Sequence, residues 1–242
     1  MGGHVFQGTS DFDHASIPRI IKPINQSLAG TGIETITVGS AATPTPGKLS
    51  GDLDLIVDQN AVMQYFDVSD PKDARKMLSD YISSKGLETA QTGINVHVKV
   101  PVNNTSHQVD LMIVDNATSV AQFHKHSIPK NSPYKGKHKH ILMAMIAKDK
   151  NLMWSPWQGL FSRNQVGKKG EFITADLDEI AQNLLSPEAS ARDLGSVESI
   201  LKKAPNPEEL LQRAENDKNW TPVSEEAVSE HAWFRNIMDL VK

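Results

Sequence analysis

Three carboxylates and one turn carry the chemistry of this sequence. Asp52 and Asp54 stand at the mouth of the apolar run Leu53-Leu55-Ile56-Val57, and Asp110 lies between Val109 and Leu111 in a second apolar run. Side chains alternate along a strand, so Asp52 and Asp54 point one way while Leu53, Leu55 and Val57 point the other, toward a core. Two carboxylates on one rigid edge repel each other unless a cation sits between them, and a hard divalent ion such as Mg²⁺ suits oxygen donors best. An Asp inside an apolar strand is costly unless it is paired or bound to metal. The three aspartates could share two such ions, an arrangement suited to phosphoryl or nucleotidyl transfer. Upstream, the apolar run Ile33–Val38 ends in Gly39-Ser40, a turn that offers backbone N–H groups and a hydroxyl to an anion such as phosphate.

Each signal has an ordinary reading. A lone Asp-x-Asp is most often a strand edge or a turn, and Gly-Ser alone says less. Here Gly39-Ser40, Gly51, Asp52-x-Asp54 and Asp110 come in one order with strand context around each. Asp58 falls on the same face as Asp54 but ends its strand, and it reads as a turn residue before Gln59-Asn60. Asp115 faces away from Asp110 and reads as a turn or helix-cap residue.

That order resembles the DNA polymerase β-type nucleotidyltransferase superfamily, over roughly residues 30–115, about a third of the chain. More faintly, the whole chain is similar to uncharacterised nucleotidyltransferases encoded by tailed phages. The resemblance implies that Asp52 and Asp54 hold two Mg²⁺ or Mn²⁺ ions. It implies that Asp110 completes the acceptor-side metal and helps deprotonate an attacking hydroxyl. Gly39 and Ser40 would then hold the β- and γ-phosphates of an NTP such as ATP, and pyrophosphate would leave. Many members carry a basic residue soon after the Gly-Ser. Those positions are Ala41, Ala42 and Thr43 here, with Lys48 as the candidate substitute.

The elements that must position these groups follow from periodicity. Ile17, Ile20, Ile21, Ile24 and Leu28 recur at helical spacing over 15–29, with an interruption expected at Pro23. Strands are expected at 33–38 and 52–58. Asp70-Pro71 opens a helix over 71–84 that Gly86 ends. Residues 94–100 and 106–114 read as an antiparallel hairpin turning at Asn103-Asn104. The expected fold class is α+β: a small mixed sheet with flanking helices over residues 1–125, then a mostly helical lobe over 126–242. After residue 116 helical patterns dominate, at 117–125, 136–149, 176–185, 196–203, 207–216 and 225–241.

The segment 124–140 gathers His124, Lys125, His126, Lys130, Lys135, Lys137, His138, Lys139 and His140 with no acid among them. Basic side chains at a helix start oppose the macrodipole, whereas phosphate is favoured there. Lys135 and Lys139 are therefore candidates for the triphosphate, with Ser132 and Tyr134 beside them. Acceptor binding and plain solvated surface remain the other readings. The histidine spacing does not suit zinc on one helix face. Trp154, Trp157, Leu160 and Phe161 read as packing rather than base stacking, and Arg163 could reach a phosphate.

Composition sets the limits. The 242 residues include 38% hydrophobic and 22% charged residues, ordinary for a globular chain with a real core. There is no cysteine, so disulfides and thiolate metal sites are excluded, as suits a reducing cytoplasm. No apolar stretch approaches a membrane span, and no signal-peptide core is present. A net charge of −4 argues against coating a long duplex. The expected partner is therefore an RNA or DNA 3′ end held by few contacts. The alternatives are nucleotidylation of a protein or small molecule, and a catalytically idle nucleotide-sensing module. The sequence gives no oligomeric state.

Overall fold

A computed structural model describes residues 5–125 and 132–220. The chain divides into two compact units, residues 1–125 and 126–242. The first unit runs β1 (Phe12–Asp13), a 3-10 turn (His14–Ser16), α1 (Ile17–Leu28), β2 (Thr35–Thr37), a 3-10 turn (Ser40–Ala42), β3 (Leu49–Ser50) and β4 (Asp52–Asp58). It continues with α2 (Gln59–Phe66), α3 (Pro71–Ser84), β5 (Glu88–Thr92), β6 (Asn95–Val102), β7 (Thr105–Val114) and α4 (Ala117–His124). Five strands form a mixed sheet in the order β2-β4-β7-β6-β5, in which β4 and β7 are parallel and the other pairs antiparallel. The fold is of the α+β class.

Strand alternation builds the core. Leu53, Leu55 and Val57 on β4, Val96, Val98 and Val100 on β6, and Val109, Leu111 and Ile113 on β7 are all buried in one cluster. Ile20, Ile24 and Leu28 of α1 and Ala74, Leu78 and Ile82 of α3 belong to the same cluster. Each large aliphatic side chain buried this way contributes roughly 1.5–3 kcal/mol. The opposite face of β4 and β7 is apolar only at its far end, where Ile56, Met112 and Val114 are buried and α4 packs on both strands. Its near end carries the aspartates.

The interruption expected at Pro23 does not occur, and α1 runs through it. Proline removes one backbone donor and crowds the carbonyl four residues back, at about 3 kcal/mol. The buried stripe Ile20, Ile24, Leu28 outweighs that cost. The short strands β1 and β3, the helix α2 and the strand β5 went unanticipated. The helix α2 is capped by Asp58, which accepts from the N–H groups of Asn60 and Ala61, so Asp58 is a helix cap rather than a simple turn residue. The edge strand β5 pairs with β6 and is largely exposed. Asp115 lies in the turn after β7 and accepts from the Gln59 side chain, while the cap of α4 is its neighbour Asn116. Asp70 caps α3 with Pro71 in its first turn, as its sequence signature requires.

The second unit contains α5 (Gly136–Asp149), β8 (Leu152–Ser155), β9 (Gly159–Arg163), β10 (Lys169–Thr174), α6 (Leu177–Leu184), a 3-10 turn (Ala191–Leu194), α7 (Val197–Lys203) and α8 (Pro207–Glu215). Besides the expected helices it holds an antiparallel three-stranded meander, order β10-β9-β8. Trp154, Leu160 and Phe161 are buried strand residues of that meander. Arg213 of α8 makes a two-pronged ion pair with Asp149 of α5, both bonds at 2.8 Å. The helix expected over 225–241, together with His126 and Lys130, lies outside the described residues. No described helix is long and apolar enough to cross a membrane.

Candidate active site

Register brings the carboxylates together. The parallel pairing of β4 and β7 sets Asp54 beside Asp110 and Asp52 beside Gln108. One oxygen from each of Asp52, Asp54 and Asp110 lies within 4.8 Å of the others. Burial first, then the charges of Asp52 and Asp110, push the Asp54 carboxyl up from 3.8 to about 7. A proton is thus held at neutral pH where free aspartate would have none. Hard oxygen donors in this number, with charge repulsion left unrelieved among them, fit a divalent cation such as Mg²⁺ or Mn²⁺.

Asp110 is fixed from two sides. His97 Nδ1 lies 2.8 Å from Asp110 Oδ1, and Gln108 Nε2 donates to the same oxygen at 2.9 Å. The far nitrogen of His97 meets the Thr92 hydroxyl at 2.6 Å. Gln108 is in turn held through its amide oxygen, which accepts from the Val5 N–H at 2.8 Å. Neither His97 nor Gln108 emerged from the motif, yet both were traceable. Gln108 precedes Asp110 by one pleat on the same face. Counting back from the Asn103-Asn104 turn puts His97 opposite Asp110, which is the pairing observed.

Gly39 begins the turn at φ 65° and ψ −148°, a conformation open to glycine and few others. A Cβ at this position would stand 2.8 Å from Asp54 Oδ2, so glycine also lets the turn close onto the carboxylate. The Gly39 N–H donates to the His124 carbonyl at 3.4 Å, and the Ala42 N–H donates to the Gly39 carbonyl at 3.3 Å. Ala41 is buried in the core cluster. A basic side chain therefore has no room at position 41, whereas Ala42 is half-buried and Thr43 exposed.

Residues 43–50 are held by the N-terminal segment. The pairing of β1 with β3 and a 3.0 Å bond from the His14 N–H to the Lys48 carbonyl clasp this loop. His14 is 1% exposed. Its Nε2 lies 2.8 Å from Ser50 Oγ, which lies 2.9 Å from Ser40 Oγ. Burial first, and the Lys48 charge second, hold the His14 pKa below its ordinary value. The Lys48 side chain is exposed.

The first unit thus holds Gly39, Ser40, Lys48, Asp52, Asp54 and Asp110, while Lys135 and Lys139 belong to the second. Lys135 is exposed at the start of α5. Lys139, as a candidate for the triphosphate, would have to be accessible. It is instead 1% exposed and aligned with Leu142, Met143 and Ile146 at spacings of three, four and seven, and burial lowers its pKa to about 8. Tyr134 is buried, and burial raises its pKa. Ser132 donates to Glu198. Arg163 donates to the carbonyls of Leu152 and Gly167, so its guanidinium braces the meander.

No family model matches the sequence, and no curated protein matches it. Among solved structures, the chain is similar to polymerase beta of Leishmania infantum in a ternary P/T complex. The TM-score is 0.44 and the identity 19%, over 76% of this chain and 72% of that one.

Proposed function

We propose that the first unit transfers a nucleotide from an NTP to an acceptor hydroxyl. The observation that carries this reading is the trio Asp52, Asp54 and Asp110, with oxygens within 4.8 Å and Asp54 raised to about 7 beside the Gly39-Ser40 turn. In the reaction the acceptor oxygen bonds to the α-phosphorus. The bond from that phosphorus to the α–β bridging oxygen breaks, and its electron pair leaves with pyrophosphate. The acceptor proton passes to the Asp110 carboxylate, which the bonds from His97 and Gln108 hold in place.

Asp52, Asp54 and Asp110 would hold the divalent ions, Mg²⁺ or Mn²⁺. When bound, these supply positive charge against the phosphates and lower the acceptor hydroxyl's pKa. Ser40 and the Gly39-Ser40 backbone contact the β- and γ-phosphates, with Lys48 as the nearby cation. Lys135, exposed on its helix, is the proposed second cation, whereas Lys139 is buried in α5 and is not carried into the proposal. The proposed acceptor is an RNA or DNA 3′ end held by few phosphates, in keeping with the net charge of −4.

The test incubates the protein and its Asp54→Asn variant with each α-labelled NTP and Mg²⁺ or Mn²⁺, against RNA, DNA and protein. Label should enter a nucleic-acid end with the wild type and not with the variant. Label confined to protein would move the acceptor to a protein hydroxyl. Transfer undiminished in Asp54→Asn would refute the assignment of the site.

A further inference from the structure

Ser40 and Ser50 share a hydrogen bond that either oxygen could donate, and His14 favours one direction. The Thr45 N–H points at His14 Nδ1 at 3.2 Å. A backbone amide only donates, so Nδ1 accepts and carries no proton. The neutral imidazole then has its proton on Nε2, 2.8 Å from Ser50 Oγ, which accepts it. Ser50 keeps its own proton, and Ser40 Oγ at 2.9 Å is the acceptor the geometry supplies for it. Ser40 thereby receives a hydrogen bond, and its hydroxyl proton turns away from Ser50.

We infer that His14 and Ser50 are positioning residues that set the Ser40 hydroxyl as an outward hydrogen-bond donor for a terminal phosphate oxygen of the bound triphosphate. The inference rests on the nucleotidyl-transfer reading for the identity of its ligand, although the direction of the relay does not depend on it. Three observations add weight. His14 is almost wholly buried, and burial first, with the Lys48 charge second, lowers its pKa, which favours the neutral ring the relay requires. The strands β1 and β3 pair Phe12 with Ser50 and Asp13 with Leu49, so the fold sets His14 against Ser50 through backbone bonds. Asp13 caps the turn that carries His14, accepting from the Ala15 N–H at 2.7 Å. Donors aligned in series polarise one another, so an anion accepting from Ser40 strengthens the whole chain.

The relay separates from a merely structural role because it acts on the phosphate tail and not on the rest of the nucleotide. Binding of ATP, AMP and inorganic tripolyphosphate is measured by calorimetry on the full chain for the wild type, Ser50→Ala and Ser50→Thr. Ser50→Ala should weaken ATP and tripolyphosphate by up to about tenfold, the upper range for loss of one neutral hydrogen bond, and leave AMP unchanged. Ser50→Thr, which keeps the hydroxyl, should restore both. The ¹⁵N shifts of His14 in the free protein at neutral pH should show the Nε2–H tautomer.

An Nδ1–H tautomer or an imidazolium overturns the inference. So do equal losses for ATP and AMP, or none for either. If nucleotide transfer proceeds while Ser50→Ala binds ATP normally, the relay falls and the proposed reaction stands. If no transfer occurs but tripolyphosphate binds and depends on Ser50, the relay stands and the reaction falls. A wild type that binds no triphosphate overturns both.

Discussion

Replacing Asp54 by Asn should make the metal-free protein more stable and the enzyme inactive. The carboxyl sits between two others, and its pKa rises from 3.8 to about 7. At about 1.4 kcal/mol per pH unit, that gap bounds the cost of its charge at about 4 kcal/mol above neutral pH. Solvent reaches part of the side chain, and an amide does not reproduce a carboxylic acid, so about 2 kcal/mol is the working expectation. For a unit the size of residues 1–125 that corresponds to roughly 6–12 °C in melting temperature.

The sign follows from the proton count. Between pH 3.8 and about 7 the folded state holds a proton that the unfolded state has lost, so stability falls as pH rises through that window. The variant should therefore melt above the wild type at pH 8 and level with it near pH 4, both in chelator. All four tryptophans lie in the second unit, so their fluorescence follows the wrong transition and scanning calorimetry is the assay. Millimolar Mg²⁺ with NTP should then raise the wild type and not the variant, by about 2.7 kcal/mol at a hundredfold excess over Kd. A variant no more stable than wild type at pH 8, or a gain of equal size at pH 4, would refute the claim that repulsion among these carboxylates strains the free site.

Gly39→Ala should cost about 1–3 kcal/mol, because φ 65° is strained for alanine and its Cβ would press on Asp54; a variant as stable as wild type in a denaturant titration argues against that close approach. His97→Ala should lower kcat by tenfold or more with little change in NTP affinity, since it removes a support of Asp110 and no phosphate contact; a rise in Kd with kcat intact would contradict this role. Lys135→Ala should leave stability within about 0.5 kcal/mol, as exposed positions do, and weaken NTP more than nucleoside. Lys139→Ala should lower the melting temperature because it empties a buried site; equal melting curves for the two lysine variants would contradict the burial of Lys139. Transfer to a nucleic-acid end should fall shallowly with salt, with a slope equivalent to about two to four phosphate contacts, and a much steeper slope would point to a long duplex.

Local chemistry made much of the first unit legible in the sequence. The alternation over 52–58 and 106–114 needs no partner to state which side chains share a face. The Asp70-Pro71 signature starts a helix wherever it is placed, and the turn at Asn103-Asn104 fixes the hairpin register. The short capped helix α2 and the exposed strand β5 were not legible, because neither has a long enough apolar period to stand out. The meander β8-β9-β10 was missed for a related reason, since its buried aromatics suit a strand and a packing knot equally well.

The sequence by itself determined that Asp52 and Asp54 lie on one face, that Gly39 and Ser40 end a strand, and that His97 and Gln108 share the face of Asp110. Only the tertiary structure decided that β4 and β7 run side by side in parallel, that Asp54 and Asp110 meet in that register, and that His14 reaches Ser50. These contacts join residues dozens of positions apart. They arise because the apolar faces of β4, β6 and β7 must be buried together under α1 and α3, and burying one face fixes where the polar groups on the other face converge.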